Sequence, residues 1–422
     1  MDYCCTPDGM SRRHFMRHLA GASALVAPAF ALTRTMRANA PALSKNHKSA
    51  ILLWLGGGPP SIDMWDMKPG APTAGTFKPI STAGDFQICE HMPLLAKQAK
   101  DFSIVRSMST READHERGRY YMHTAYVPNP SVEHPGYGSV VAHEMESKLP
   151  QLEIPPFVSI GGASEGPGFL GMTYAPFQVD ANGQIRDVDM GLPEARMSDR
   201  MKLLAALESR FINEKRGSAA EEHANVLKKT QELLTSEQMK AFKVRTEPKD
   251  MLEKYGDNNF GRGCLMARRL VEVGVPFVEV NSGGWDLHKG CFTSLEKKLP
   301  ELDKAFSALM EDLKQRGLLD STVVMCMGEF GRTPRVNGDA GRDHFARAWS
   351  VVLGGAGIEG GRAIGKTSAD GTSVESDPYS SEDLMASVCQ ALGISLQTTY
   401  KAKNGRPMKI AGGGKVIPEL FT

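Results

Sequence analysis

Residues 48–69 read KSAILLWLGGGPPSIDMWDMKP, and this stretch decides the fold. The apolar run over 50–55 is followed by three glycines and two prolines, a pattern typical of a buried strand that ends in a tight turn. A helical pattern over 92–100 and a second apolar run over 104–108 come next. Strand, helix and strand in this order predict a parallel pair joined by a right-handed crossover.

The alternation of strands and helices continues along the chain and predicts an α/β domain. Its central sheet is expected to be mostly parallel and flanked by helices. Residues 195–256 have an apolar spacing of about 3.6, which predicts two or three amphipathic helices inserted into a domain that spans 41–422. Further strands are predicted at 155–162, 275–281, 322–331 (with a glycine-rich exit) and 347–358, and helices at 137–147, 261–274 and 380–394, with a long helix that starts or is interrupted at Pro300 and ends at Gly317.

The first 40 residues are expected to be an export signal and not part of the fold. Arg12 and Arg13 precede the apolar run ASALVAPAFAL and the small residues ANA at 38–40. A basic start, a short apolar middle and a small-residue cleavage site are typical of twin-arginine signals. We therefore expect export by that route to the periplasm or the cell exterior, with a basic N-terminal helix as the alternative.

The composition is that of an ordinary globular protein. Apolar residues make up 41% of the 422 residues, and 50 basic residues nearly balance 49 acidic ones. This balance gives no reason to expect nucleic acid as a partner. The apolar run of the signal is too short for a membrane span, so none is expected after its removal. The oligomeric state stays open.

Acids, imidazoles and arginines follow several of the predicted strands. Because ligands bind beyond the carboxyl ends of the strands in an open parallel sheet, we expect these side chains to share one rim. Arg332 and Arg342 are candidates to hold the anionic oxygens of a substrate, since a guanidinium binds such groups bidentately. The candidate metal ligands are Asp63, Asp286, His288, Glu329, Asp343 and His344, with Asp66 as an alternative to Asp63.

Imidazole nitrogen and carboxylate oxygen together favour a divalent metal ion. Zinc is the first expectation, and manganese, calcium or magnesium are the alternatives. Such an ion makes hydroxide available near neutral pH, because it lowers the pKa of a bound water. Each motif also has a structural interpretation. The Asp-x-His pair is then a hydrogen-bonded loop, and Glu329 forms an ion pair with Arg332.

Four stretches together resemble the bacterial domain-of-unknown-function family 1501. They are WLGGGPPSIDMWDMKP (54–69), GGWDLH (283–288), LDKAFSALMEDLKQRGLLDSTVVMCMGEFGRTP (302–334) and GRDHF (341–345). The resemblance extends over about 48–395 and implies similarity in fold to the alkaline phosphatase and sulfatase superfamily. It also implies one or two metal ions at the carboxyl edge of the sheet.

In function, the resemblance implies an exported, metal-dependent hydrolase of phosphate or sulfate esters. Its substrate would be a small-molecule or glycan ester. The nucleophile would be metal-activated water or Thr110, near Ser109, with His115 close behind. An exported binding or scaffold protein without activity is the alternative, since Glu329 lacks the histidine that accompanies the corresponding acid in the superfamily. A metal-dependent isomerase or transferase is a third interpretation.

Overall fold

A computed structural model describes residues 47–149, 151–185 and 236–422, together with residues 196, 199–200, 202–204, 206, 209 and 233. In chain order the strands are β1 (Ser49–Leu55), β2 (Pro79–Ser81), β3 (Gln87–Cys89), β4 (Phe102–Met108), β5 (Phe157–Ile160), β6 (Phe177–Val179), β7 (Phe277–Ser282), β8 (Thr322–Met327), β9 (Gly331–Arg332), β10 (His344–Phe345), β11 (Trp349–Gly354), β12 (Ala363–Ile364), β13 (Thr399–Lys401) and β14 (Pro407–Lys409). The described helices are α1 (Ser61–Met64), α2 (Pro93–Lys97), α3 (His115–Thr124), α4 (Tyr137–Met145), α5 (Lys249–Tyr255), α6 (Asn259–Glu272), α7 (Cys291–Gln315) and α8 (Ser381–Leu392).

Eight of the strands form one sheet, in the order β12-β4-β11-β8-β1-β7-β5-β6. Within it β11 runs antiparallel to β4 and β8, and the other neighbouring strands are parallel. The carboxyl ends of β4, β8, β1 and β7 therefore lie at the same edge of the sheet as the beginning of β11. This edge is where an open parallel sheet binds its ligands.

The central position of β1 explains its continuous apolar run. Every residue of the strand is buried, because helices cover both faces of the sheet. Ile51, Leu53 and Leu55 face the core layer that includes α2, α6 and α7. Ala50 and Leu52 face the opposite layer, which includes α3, α4 and α8. The sequence run thus supplies both layers from one strand.

The predicted α/β class with a mostly parallel sheet is confirmed. Pro300 lies inside α7, which is continuous from Cys291 and therefore begins earlier than a start at the proline would allow. The predicted export signal, 1–40, lies outside the described residues, as does most of the predicted insertion, 195–256. The described end of that insertion contains two short 3₁₀ turns and α5. Among the helices that the structure describes, none is long and apolar enough to span a bilayer.

Candidate metal centre

Side chains from four connections meet at the carboxyl edge of the sheet. His115 is the first residue of α3, soon after β4, and Glu329 follows β8. Asp286 and His288 follow β7. The antiparallel course of β11 brings the segment before it to the same edge, and this segment supplies Asp343 and His344.

Three histidines and one carboxylate converge most closely, and we refer to His115, Asp286, His288 and His344 as the metal centre. Asp286 Oδ1 lies 3.0 Å from Nε2 of His288, 3.3 Å from Nε2 of His344 and 3.4 Å from Nε2 of His115. Nε2 of His288 and Nε2 of His344 are 3.0 Å apart. His115, Asp286 and His344 each offer a ligand atom within 4.8 Å of the other two.

The other nitrogen of each ring is held by an acceptor. Nδ1 of His344 donates to the carbonyl oxygen of Ala113 at 2.8 Å. Nδ1 of His288 donates to Asp343 at 2.8 Å, and Nδ1 of His115 donates to Glu329 at 2.6 Å. Acceptors of this kind are typical of metal-bound histidines, because they fix the tautomer that leaves Nε2 free to bind an ion.

The atoms that converge in the metal centre are suited to coordinate a divalent cation but not to hydrogen-bond to one another. In a neutral ring whose Nδ1 carries the proton, Nε2 presents a lone pair, so the contacts among these nitrogens and Asp286 Oδ1 join acceptors to acceptors. Nε2 of His115 is buried and has no hydrogen-bond partner. Zinc bonds of 2.0 to 2.1 Å in tetrahedral geometry place ligand atoms about 3.3 Å apart, close to the distances of the three Nε2 atoms from Asp286 Oδ1.

The formal charges around the metal centre also favour a divalent cation. The carboxylates of Asp286, Glu329 and Asp343 and the guanidinium of Arg332 leave two formal negative charges around the metal centre. A divalent cation would balance them. The ligand set of imidazoles and one carboxylate suits zinc, whereas calcium and magnesium prefer oxygen atoms alone.

The electrostatics keep Asp286 ionised. Burial alone would raise its pKa, but the hydrogen bond and the charge of Arg332 lower the pKa to about 2. For His344, burial lowers the pKa from its ordinary value, and the charge of Arg332 acts in the same direction. A carboxylate beside a neutral imidazole is the pair of protonation states that binds a metal ion.

Glycines allow the backbone to pass close to the metal centre. Gly57 has a φ of +120°, and a Cβ there would lie 2.3 Å from the amide nitrogen of Asp286. The Gly57 amide also donates to both carboxylate oxygens of Glu329, at 2.9 and 3.2 Å. At Gly341 a Cβ would meet the carbonyl oxygen of His288 at 1.9 Å. The glycine turn after β1 therefore positions Glu329 and Asp286 through close backbone contact.

The structure corrects the assignment of Asp63 as a metal ligand. Asp63 and Arg342 form a buried ion pair in which the guanidinium donates to both carboxylate oxygens, at 2.7 and 2.8 Å. Arg342 also donates to the carbonyl oxygens of Thr73, Thr333 and Pro334. Its guanidinium is satisfied by the protein, so Arg342 holds the loop before Asp343 and has no free group for a substrate.

Arg332 is corrected in the same way. It is buried, and its guanidinium donates to the carbonyl oxygens of Gly57, Gly58 and Arg342 and to the carboxylate of Asp286. The ion pair with Glu329, which the structural interpretation offered as the alternative, is replaced by the pairing with Asp286. Arg332 therefore orients a member of the metal centre instead of presenting its charge to a substrate.

Thr110 and His115, the two candidates for catalysis, do not act on each other. Thr110 Oγ1 is buried without a hydrogen-bond partner, so no base contacts it among the described residues. Both ring nitrogens of His115 are directed elsewhere, towards Glu329 and Asp286. The structure thus places His115 among the residues of the metal centre, a position that the sequence interpretation missed. The available signal was the pair Asp114-His115, which repeats the Asp343-His344 pair.

The class of α/β proteins that have a histidine-rich site at the carboxyl edge of the sheet includes many metal-dependent enzymes. The chain belongs to a family of proteins of unknown function, DUF1501, whose sequence profile matches residues 47–421. The membership predicted from the sequence motifs is therefore confirmed. Among curated proteins, none matches this chain.

Several solved structures are similar to this chain. One is the PsFucS1 sulfatase from Pseudoalteromonas sp., with a TM-score of 0.41 and 11% identity over 85% of this chain and 71% of the sulfatase. A phosphonate monoester hydrolase from Silicibacter pomeroyi has a TM-score of 0.36 and 12% identity over 89% and 76%. A protein in the alkaline phosphatase superfamily from Vibrio parahaemolyticus has a TM-score of 0.35 and 12% identity over 87% and 69%. Similarity this distant does not carry chemistry to this chain, so function has to be argued from its own side chains.

Proposed function

We propose that this protein is a metal-dependent hydrolase of phosphate or sulfate esters in which water is the nucleophile. The single observation that carries the proposal is the convergence of three Nε2 atoms on one carboxylate, with each Nδ1 held by an acceptor. The side chains of the metal centre are a quarter to a half exposed. An ester can therefore reach the site from solvent.

Each residue has a distinct part in this proposal. His115, Asp286, His288 and His344 would hold the ion. A divalent cation supplies Lewis-acid polarisation of an ester oxygen and makes water nucleophilic near neutral pH. Arg332 keeps the Asp286 carboxylate ionised and in place.

Three acceptors orient the imidazoles from outside the metal centre. They are the carboxylates of Glu329 and Asp343 and the carbonyl oxygen of Ala113. Glu329 is itself fixed by the Gly57 amide, which ties the ring of His115 to the turn after β1. Through these contacts the rigid sheet edge determines where the three Nε2 atoms lie.

Water is favoured over a hydroxyl side chain as the nucleophile. A threonine attacks only when a base removes its proton, and Thr110 Oγ1 has no partner of any kind within the described part of the chain. We also propose that the chain is exported by the twin-arginine route through Arg12 and Arg13, so that the ester would be hydrolysed outside the cytoplasm.

The test begins with the metal content of the purified full-length protein and continues with its activity on aryl phosphates and aryl sulfates after reconstitution with zinc or manganese. We expect about one ion per chain and turnover that a chelator abolishes. The His344→Ala variant should lose both, whereas His123→Gln, which changes a histidine in the core, should keep the metal. A protein that binds no metal under these conditions and turns over no ester would overturn the proposal in favour of a binding or scaffold role.

A further inference from the structure

A cavity of about 520 Å³ lies at the carboxyl end of β4. It opens to solvent and is formed on one side by the segment that follows β4 and on the other by the segment that precedes α8. We refer to it as the β4 pocket. Its lining residues are Ser109, Thr110, Arg111, Glu112, Tyr121, Val127, Pro378, Tyr379 and Ser380.

The β4 pocket and the metal centre share one segment of chain. The amide of Thr110 donates to the carbonyl oxygen of Ala346 at 2.8 Å, two residues beyond His344. Three residues further along, the carbonyl oxygen of Ala113 accepts from Nδ1 of His344 at 2.8 Å, and the segment ends at His115. A molecule held in the pocket is therefore positioned by the same backbone that positions two of the metal-binding histidines.

Most polar groups of the pocket wall are already satisfied. The carboxylate of Glu112 accepts two hydrogen bonds from Arg117. The hydroxyl of Tyr121 donates to Glu382, and that of Tyr379 donates to Glu419 at 2.8 and 2.9 Å. These contacts make the wall rigid, because each side chain is anchored to another element.

One charge of the pocket wall is unpaired, and it limits what the pocket can bind. The guanidinium of Arg111 is exposed and has no ion pair or hydrogen bond among the described residues. The hydroxyl of Thr110 is buried without a partner in the described part of the chain and is closed off from the pocket. A ligand with an anionic group would therefore pair with Arg111.

The remaining wall is apolar. Val127 is 49% exposed, which is unusual for a large aliphatic side chain in this protein. The ring of Pro378 and the ring of Tyr379 also line the pocket. Flat or ring-shaped groups pack well on such surfaces.

We infer that the β4 pocket binds a ring-bearing organic anion, and that this anion is the alcohol part of the ester hydrolysed at the metal centre. The ring packs against Val127, Pro378 and Tyr379, and its negative group pairs with Arg111. The inference about the pocket stands on the cavity and the unpaired charge of Arg111, while the link to the ester rests on the proposed function. The substrate class is then an ester of phosphate or sulfate with a ring alcohol that carries its own negative charge.

Binding to metal-free protein tests the pocket separately from catalysis. The probes are 4-hydroxybenzoate, which has a ring and a carboxylate, and phenol, which has the ring alone, each titrated into the full chain with a chelator present. We expect 4-hydroxybenzoate to bind more tightly, and Arg111→Met to weaken its binding about tenfold, as for the loss of a charged hydrogen bond. The control Lys100→Met removes an exposed cation at the opposite end of β4 and should change nothing.

Equal binding of the two probes, or equal effects of Arg111→Met and Lys100→Met, would overturn the assignment of the pocket. Arg111→Lys is a second variant that keeps the positive charge, and it should retain more of the affinity for 4-hydroxybenzoate than Arg111→Met does. Failure of ester hydrolysis leaves these binding results intact, so the two proposals fail separately.

Kinetics with metal-loaded protein test the link to the ester. The ratio of kcat/KM for 4-carboxyphenyl phosphate over phenyl phosphate should exceed one, and Arg111→Met should lower this ratio about tenfold, mainly through KM. Lys100→Met should keep the ratio of the unaltered protein. Turnover of both esters with a ratio near one would show that the pocket does not receive the alcohol part.

Discussion

Two groupings of histidine and acid lie in this protein, and they are built in opposite ways. His123 and Glu279 are both buried in the core, with Nε2 of the histidine 3.3 Å from the carboxylate and Nδ1 close to the carbonyl oxygen of Arg119. In the metal centre, the rings are partly exposed, and three Nε2 atoms surround one carboxylate that Arg332 already holds. The first grouping pairs a positive group with a negative one, whereas the second brings acceptors together.

This difference teaches how a structural pair can be told from a ligand site. Burial alone would lower the pKa of His123, but the charge of Glu279 outweighs it and raises the pKa. Glu279 therefore balances the charge of His123, although Nε2 of His123 and Oε1 of Glu279 make no hydrogen bond among the described residues. The metal centre has one carboxylate for three rings whose Nδ1 protons are already used, and a bound cation would satisfy such a set.

The strongest test of this comparison removes the shared carboxylate. Asp286→Asn should abolish metal binding and ester hydrolysis, because the variant loses the negative ligand on which all three rings converge. Metal content measured on the purified variant and on His123→Gln gives the contrast. If Asp286→Asn retained its metal while His123→Gln lost it, the functional assignment of the two groupings would be reversed.

The next largest effect is expected for the ion pair of Asp63 and Arg342, which is buried like the pair of His123 and Glu279. Asp63→Asn leaves the buried Arg342 without its partner, so the free energy of unfolding should fall by about 3–5 kcal/mol. Urea denaturation measures this fall. Asp320→Asn, a change at an exposed acid, should leave the unfolding free energy as it was.

A double variant checks the interpretation of that loss. Replacing Asp63 by Leu and Arg342 by Met should recover much of the stability, because an apolar pair of similar volume needs no compensating charge. If Asp63→Asn were as stable as the unaltered protein, the carboxylate would have another role, and its earlier assignment as a metal ligand would return.

A smaller effect is expected from the acceptors that orient the rings. Asp343→Ala removes the partner of Nδ1 of His288 and should weaken metal binding about 10- to 100-fold, as for other acceptors behind a metal-bound histidine. Competition with a chelator measures the affinity. Asp339 lies in the same loop, and among the described residues its carboxylate pairs only with Lys289. The metal affinity of Asp339→Ala should therefore match that of the unaltered protein. Equal affinities for both variants would contradict the proposed orientation of His288.

The smallest effect is expected in the pH dependence of the free energy of unfolding, and it comes from the pair of His123 and Glu279. Because the folded pKa of His123 is raised above its ordinary value of 6.5, protonated His123 contributes stability that is fully present below 6.5 and is lost as the pH rises through the folded pKa. The free energy of unfolding should therefore decline with rising pH over that range. Measurements with a chelator present should show a shallower decline for His123→Gln, and parallel profiles would refute the raised pKa.

The sequence alone could predict that the candidate site lies at the carboxyl edge of the sheet. Apolar runs indicate the strands, and glycine and proline indicate the loops that follow them. The sequence correctly brought Asp286, His288, Asp343 and His344 to one place. It could not separate Asp63 from them, since an acid after a strand looks the same whether it binds an ion or an arginine. The partner, Arg342, lies 279 residues away, and only the folded chain shows the pairing.

Arg332 and Arg342 show the same limit of prediction from sequence. A guanidinium near a predicted rim suggests a contact with a substrate. In the structure, however, Arg332 and Arg342 donate hydrogen bonds to carbonyl oxygens of neighbouring loops. Such contacts depend on backbone positions that no side-chain pattern encodes. Arg111, which no motif singled out, is exposed and has no hydrogen bond or ion pair among the described residues, as is also the case for Arg335.

The position of β11 also bears on how the native protein is reached. This strand lies between β4 and β8 in the sheet, although it comes after both in the chain. His115 and Glu329, which follow those two strands, can take their native separation only after β11 has been inserted between them. An ion that binds only the finished arrangement lowers the free energy of that state relative to every intermediate. Retention of metal should therefore distinguish chains with the correct strand order from chains that have native helix content but a mis-paired sheet.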